Sequence, residues 1–313
     1  MDRPILDRPG LVSLVILSCL TFASLPLAAY DFETFEVAGA PITGGRGLTD
    51  DNCQVGYYQT DADDFQTARA IRRCAGQIET IDPPTSISDR RAFDINASGV
   101  VVGSAQRASG SDGFILDDGV FTWVEFPGAE QTVLRSINDH GDLAGEYETT
   151  ANVRRGFARI DGSFLTIDVP LAVATWARGI NNDGEVVGFW QDGAGLRHGF
   201  IREPSGIFTT FGFPGATETL LSQVNDSGEM VGTYIDSDGG SHGFLITAPL
   251  VEFITVDVPG AASTVATGIN EAGELTGEWI DDSGVRRGFV ARLFLFTDGF
   301  ESGTLDRWTA VEP

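Results

Sequence analysis

Lysine is absent from this sequence. All 20 basic residues are arginine, set against 45 acidic ones, and the formal net charge is −25. A chain this acidic lacks the basic footprint that binding to phosphate backbones requires, which excludes nucleic acid as a partner and disfavours an anionic membrane surface. Histidine occurs only as His140, His198 and His242, and no Cys/His spacing of the zinc-binding kind is present. No run carries a helical apolar period over a long window, so architectures built from helical repeats are excluded as well. Beyond the N-terminal segment no apolar stretch is long enough to span a membrane.

The chain is rich instead in glycine, at 39 residues, and phenylalanine, at 21, with 42% apolar and 21% charged residues overall. That balance suits a globular protein made of strands and many turns. The acidity reads as solubility in an extracellular setting, with divalent-cation binding as the sharper alternative.

The first residues follow an export pattern. Arg3 and Arg8 precede an apolar stretch from Leu11 to about Leu25, small residues follow at Ala28 and Ala29, and acidic sequence begins at Asp31. Residues 1–29 are therefore read as a signal peptide cleaved near Ala29, although Asp2 and Asp7 cancel the positive charge ahead of the apolar stretch. The run Ile16-Leu17-Ser18-Cys19 loosely resembles a lipoprotein box, but the sequence after Cys19 stays apolar. On either reading the protein is secreted or held at the cell surface. An oxidising compartment lets Cys53 and Cys74 pair as a disulfide, with two buried free thiols as the alternative.

Self-comparison shows a repeat. Ile/Val-Asn-x-x-Gly recurs with its asparagine at Asn96, Asn138, Asn181, Asn225 and Asn270, in steps of 42, 43, 44 and 45 residues. A degenerate copy, Leu48 to Asn52, sits 47 residues earlier, counted from Thr49 to Asn96, and brings the total to six. The fourth copy contains four alternating stretches separated by turn residues: Phe164–Val169, Thr175–Ile180, Glu185–Trp190 and His198–Ile201. Four short strands in a repeat of this length match one propeller blade, typically ~40–45 residues. In five copies the last residue of the first stretch lies 11 positions before the Ile, Val or Leu of the asparagine motif, and in the second copy the spacing is one longer. The fold class is thus all-β, a β-propeller of six four-stranded blades over residues 30–292, with a C-terminal strand and tail at 293–313. Phe32–Val37 or Leu293–Phe296 would complete the last blade, and an open β-solenoid is the main architectural rival.

Asn-x-x-Gly suits a type I turn, because the asparagine side chain can bond the backbone ahead and glycine takes a positive φ cheaply. Asn52 stands in the glycine place of the first copy. These asparagines are read as hairpin residues rather than as a ligand-binding ring.

Thr175 to Gly188 (TWARGINNDGEVVG) followed by His198-Gly199-Phe200 resembles the bacterial HAF-type extracellular repeat family. The triplet is His-Gly-Phe at His198 and His242, Arg-Gly-Phe at Arg155 and Arg287, and Asp-Gly-Phe at Asp112. The resemblance covers roughly Asp31 to Arg292 and implies secretion and a propeller-like repeat fold. It implies no activity, and the variation at the histidine place argues against shared histidine chemistry.

Few residues point to chemistry. Gly239-Gly240-Ser241-His242-Gly243 fits G-x-S-x-G, but a nucleophile elbow needs a following helix, and none is expected here. Acids gather in turns at Asp61, Asp63 and Asp64, at Asp236 and Asp238, and at Asp281 and Asp282. Asp236 and Asp238 open a loop of calcium-binding type that lacks the later bidentate acid, so solvated turn acids are the competing reading. No cofactor is expected apart from that calcium alternative. The tail from Phe296 to Trp308 is either a sorting signal or a cap on the last blade. The reading that results is a monomeric, non-enzymatic extracellular binding module for carbohydrate or protein. A secreted glycosidase or lyase working through carboxylates on one face is the alternative. Three or more acids converging within hydrogen-bond reach in the central pocket would favour the enzyme, and a pocket lined by backbone and small residues would favour the module.

Overall fold

The alternating stretches all form strands in the computed structural model, which describes residues 30–248 and 252–293. The export segment at 1–29 and the tail at 294–313 lie outside the described residues, and with them most of the Leu293–Phe296 closing candidate. Strand β1 (Tyr30–Phe35) stands apart from the first blade. Blade one holds β2 (Ile42–Leu48), β3 (Gln54–Gln59), β4 (Arg69–Cys74) and β5 (Gln77–Ile81). Blade two holds β6 (Ser88–Ile95), β7 (Val101–Arg107), β8 (Gly110–Asp117) and β9 (Val120–Val124). Blade three holds β10 (Gln131–Ile137), β11 (Leu143–Glu148), β12 (Arg154–Ile160) and β13 (Ser163–Ile167). Blade four holds β14 (Ala174–Ile180), β15 (Val186–Gln191), β16 (Arg197–Arg202) and β17 (Phe208–Phe211). Blade five holds β18 (Glu218–Val224), β19 (Met230–Ile235), β20 (Ser241–Ile246) and β21 (Phe253–Val256). Blade six begins with β22 (Ser263–Ile269), β23 (Leu275–Ile280) and β24 (Arg286–Leu293).

Each blade is an antiparallel meander in chain order. The sixth is completed by β1, which pairs antiparallel with β24 from Tyr30 opposite Leu293 to Phe35 opposite Gly288. The N-terminal strand is therefore the one that closes the ring. A single parallel bridge, Ile42 to Arg286, ties blades one and six together. The innermost strands β2, β6, β10, β14, β18 and β22 touch one another in ring order, and β22 returns to β2. This closure replaces the open-solenoid alternative, and closing the ring leaves no long unpaired sheet edge.

Two local devices explain why the repeat reads so regularly. The first is a glycine–phenylalanine pair across the second and third strands: Gly103 with Phe114, Gly145 with Phe157, Gly188 with Phe200, Gly232 with Phe244 and Gly277 with Phe289. All five rings are fully buried. A Cβ on Gly188 would lie 2.0 Å from the Trp176 carbonyl and 3.0 Å from the Phe200 ring. The bare glycine is what leaves room for the phenylalanine ring against the sheet. Blade one places Ile71 opposite Gly56 instead.

The second device is a threonine clamp. The amides of Val37, Phe126, Val169, Phe213 and Val258 each donate to a threonine Oγ1 six residues on, at Thr43, Thr132, Thr175, Thr219 and Thr264, over 2.8–3.2 Å. These threonines are buried. The clamp fixes the loop length and so produces the constant spacing to the asparagine motif.

Candidate functional site

The inner strands end together at one mouth of the ring, so the five asparagines and Thr49 meet there. Each asparagine does two things. Its Oδ1 accepts backbone amides of its own turn, as Asn181 does from Glu185 at 2.9 Å and Asn225 from Glu229 at 2.8 Å. Its Nδ2 donates to the carbonyl of the next blade's asparagine: Asn96 to Asn138 (3.1 Å), Asn138 to Asn181 (3.0 Å), Asn181 to Asn225 (3.4 Å) and Asn225 to Asn270 (3.1 Å). Asn270 donates to the Thr49 carbonyl at 3.3 Å. The hairpin role is present as the turn chemistry requires, and a girdle between blades is added to it. The turn glycines take positive φ, and Asn52 takes φ 65 in their place.

The residue after each asparagine repeats the linkage one step outward. Side-chain oxygens of Asp139, Asn182, Asp226 and Glu271 accept the amides of Ala97, Asp139, Asn182 and Asp226 at 2.7–2.9 Å, and Asp50 accepts that of Ala272 at 3.2 Å. The rim is therefore acidic, with Asp50, Asp139, Asp226 and Glu271 engaged by the neighbouring blade and Asp51 accepting the Thr49 hydroxyl of its own turn. Burial, with the nearby charges of Asp226, Asp50 and Asp139, holds Glu271 above the usual carboxylate range against the pull of the Asp226 amide. Behind this rim lies a cavity of about 290 Å³ walled by Ile95, Ile137, Ile180, Val224 and Ile269.

Asp94 and Gln223 lie at its inner end and, with Ser136, join across the axis. Asp94 Oδ2 accepts from Ser136 Oγ (2.8 Å), the Ile137 amide (3.1 Å) and Gln223 Nε2 (2.9 Å), and its Oδ1 accepts the Ile95 amide at 2.9 Å. Burial pushes the Asp94 carboxyl up to about 6 against those four donors. In the other three blades the same position is Gly47, Gly179 or Gly268, which leaves room for the plug. A Cβ on Gly47 would lie 2.5 Å from Asp94 Oδ1, and one on Gly179 would lie 2.3 Å from Gln223 Oε1.

One residue further from the mouth, every inner strand carries a bulge, and its extra residue is Arg46, Phe93, Arg135, Arg178, Ser222 or Thr267. Bulges re-aim side chains. Here Arg135 forms a two-pronged contact with Glu146 at 2.6 and 3.1 Å, and Arg46 reaches Glu278 at 3.1 Å. Glu146 is held below the usual range, because the charges of Arg135 and Arg178 outweigh its burial.

The other sequence candidates are scattered. Asp236 accepts the Asp238 and Gly240 amides at 2.9 and 2.7 Å and meets His242 Nε2 at 3.2 Å, in an outer hairpin of blade five away from the axis. Among the described residues no group of three or more His, Cys, Asp and Glu is arranged to hold a metal ion. Ser241 opens β20, and β21 follows it rather than a helix. Asp64 caps a short 3-10 turn at Phe65–Thr67. Cys53 and Cys74 form a disulfide within blade one.

The variable first place of the His-Gly-Phe triplet has a common task, pairing with an acid or base of its own blade. His198 meets Asp192 at 2.9 Å, Arg287 meets Asp281 at 2.6 Å and Arg155 meets Asp168 at 3.1 Å, while Asp112 reverses the sign with Arg107 at 2.8 Å. Sequence reasoning missed Asp94, Ser136 and Gln223, and also Arg46, Arg135 and Arg178. Their signal was available: Gly-Ile-Asn holds in the fourth and sixth copies, and its first place becomes Asp, Ser or Gln in the second, third and fifth.

No family model matches the sequence, and no curated protein gives a significant sequence match. Similar solved structures are β-propellers. TolB from Acinetobacter baumannii superposes with a TM-score of 0.54 at 11% identity, over 76% of this chain and 63% of that one, so the match takes in less than two thirds of TolB. AofleA from Arthrobotrys oligospora gives 0.51 at 11% identity, over 84% and 87%. A fungal lectin from Aleuria aurantia, described as a six-bladed β-propeller with a novel fucose recognition mode, gives 0.50 at 9% identity, over 82% and 93%. At such identities the likeness establishes the fold alone. Among the described residues no helix is long and apolar enough to cross a membrane.

Proposed function

We propose that this chain is an exported, non-enzymatic propeller that binds a ligand, carbohydrate or protein, at the axial end of its ring. The observation that carries this reading is how the axial acids are used. Asp50, Asp139, Asp226 and Glu271 each accept a backbone amide from the adjoining blade. Acids bound in this way are not poised as the free acid and base of a hydrolase. Export is supported by the N-terminal segment, by the likeness to HAF-type repeats and by the Cys53–Cys74 disulfide, which suits an oxidising compartment. The lectin neighbour supports carbohydrate as one ligand class by analogy of fold only.

The enzyme reading has one residue in its favour, the buried Asp94 with its raised carboxyl pKa. The test is to incubate the purified chain with a panel of glycans and extracellular protein extracts, following both retention and product formation. Saturable retention without turnover is the expected result. Turnover that disappears in Asp94→Asn would replace the module with the enzyme.

A further inference from the structure

Five arginines crowd the level of the channel beyond the plug, and the acids there do not balance them. Glu146 is shared by Arg135, Arg154 at 3.6 Å and Arg178 at 3.9 Å, and Glu278 is shared by Arg46 and Arg286 at 3.1 and 2.7 Å. Glu148 takes a share of Arg154 at 3.3 Å. Arg178 is the group left over. It makes no side-chain hydrogen bond to any described residue, and its Nε is buried without a partner. Its nearest charge is Glu146, already gripped by Arg135. Arg46 and Arg178 belong to blades opposite one another in the ring, yet each lies within reach of the other's charge. Burial, together with the charges of Arg135, Arg46 and Arg154, pushes Arg178 down to about 9 although Glu146 acts against it.

Arg178 is half-buried, with its Nε shut away from solvent, and a protein seldom sequesters part of a guanidinium beside only a distant, shared acid. In a chain with a formal charge of −25 and 45 acids to draw on, Arg178 has only the outermost share of Glu146. We propose that Arg178, flanked by Arg135 and Arg46, binds the carboxylate of an acidic sugar of the uronic-acid class, entering from the channel end opposite the asparagine turns. This rests on the binding-module reading and gives its ligand a place and a chemistry.

Three features favour that class. A guanidinium fork matches a planar carboxylate in two-pronged fashion. Beside Arg178 stand two stacked aromatics, Trp176 and Phe189, with ring centroids 4.8 Å apart and the guanidinium 5.0 Å from the Phe189 centroid, so a flat apolar wall adjoins the charge. At the equivalent places of blades five and six the side chains are short, Ser222 and Thr267. The Ser222 hydroxyl has no hydrogen-bond partner among the described residues and offers a polar group to a sugar ring.

Calorimetric titration of the whole chain with galacturonate, glucuronate, galactose, benzoate and inorganic phosphate tests the proposal. The uronates should bind at least about tenfold more tightly than galactose, and the preference should weaken in high salt. Arg178→Met should lose at least about tenfold in affinity with its melting temperature unchanged or raised, because a half-buried charge with only a weak, shared ion pair has been removed. Arg178→Lys, which keeps the charge but not the fork, should fall between the two. Equal affinity for galactose and galacturonate, binding of phosphate or benzoate without the uronates, or unchanged affinity in Arg178→Met would each overturn it. So would a sharp loss of stability in both Arg178 variants, which would mark a structural arginine. Retention of neutral glycans with no response to uronates would sink this inference and leave the module standing, whereas turnover of any ligand would sink the module.

Discussion

Two levels of the channel, the asparagines and the bulge residues three positions before them on each inner strand, are built on different rules. At the asparagine level five blades carry the same residue, and every one makes the same pair of bonds, to its own turn and to its neighbour. At the bulge level the six blades carry three arginines, a phenylalanine, a serine and a threonine. Repetition marks what the ring needs in every blade. Departure from the repeat marks what needs to occur only once, because the axis is the one place where all six blades meet. The level between them shows the transition, with glycine in three blades yielding space to Asp94, Ser136 and Gln223.

Substitutions at repeated positions should therefore weaken the fold, and substitutions at unrepeated ones should alter titration or binding. The largest effect is expected at Gly188→Ala, whose Cβ would press on the Trp176 carbonyl and the Phe200 ring; chemical denaturation should show a loss of about 3 kcal/mol. Asp94 gives an effect of similar size that depends on pH. Its folded carboxyl titrates near 6 and its unfolded one near 3.8, so the contribution of the neutral acid is complete below the unfolded value and vanishes as pH rises through the folded one. The stability of the native chain relative to Asp94→Asn should fall by about 2 kcal/mol between pH 4 and pH 7, and a flat difference would mean that the Asp94 carboxyl is not shifted by folding.

Asn225→Ala removes a turn bond and a link to blade six together and should cost about 2 kcal/mol. The same change at Asn96 should cost a similar amount, and a marked inequality would break the claim that the girdle is uniform. The smallest effect is a gain. Leu171 sits at φ 71 and is 96% exposed, where Gly39, Gly128, Gly215 and Gly260 occupy the matching turn. Leu171→Gly should raise stability by about 1 kcal/mol, measurable as a higher melting temperature.

Most of the fold was legible because a blade is a local object. The Thr175 to Ile180 alternation, the Asn181-x-x-Gly184 turn and the fixed spacing from Val169 to Ile180 all lie within one repeat, and even the stand-in role of Asn52 followed from backbone preference. The axial chemistry was not legible in that way. The plug joins Asp94 to Gln223 across 129 residues and Ser136 to Gln223 across 87, and such contacts exist only once the ring has closed. Turn acids such as Asp236 and Asp238 were conspicuous because they lie close together in sequence. The rim acids Asp139 and Asp226 stood inside the asparagine motif, where turn chemistry already accounted for them. What separated the plug from its surroundings was a break in the pattern, at the one place before Ile95, Ile137 and Val224 where glycine is replaced.

The strand that closes the last blade comes from the opposite end of the chain. Its pairing of Tyr30 with Leu293 is among the longest-range contacts a chain of this length can make, and loop closure over such a separation comes late in folding. Until it forms, one side of β24 is an open row of backbone donors and acceptors, available to any other extended chain. Docking of residues 30–35 is therefore what covers this last exposed row of the sixth blade.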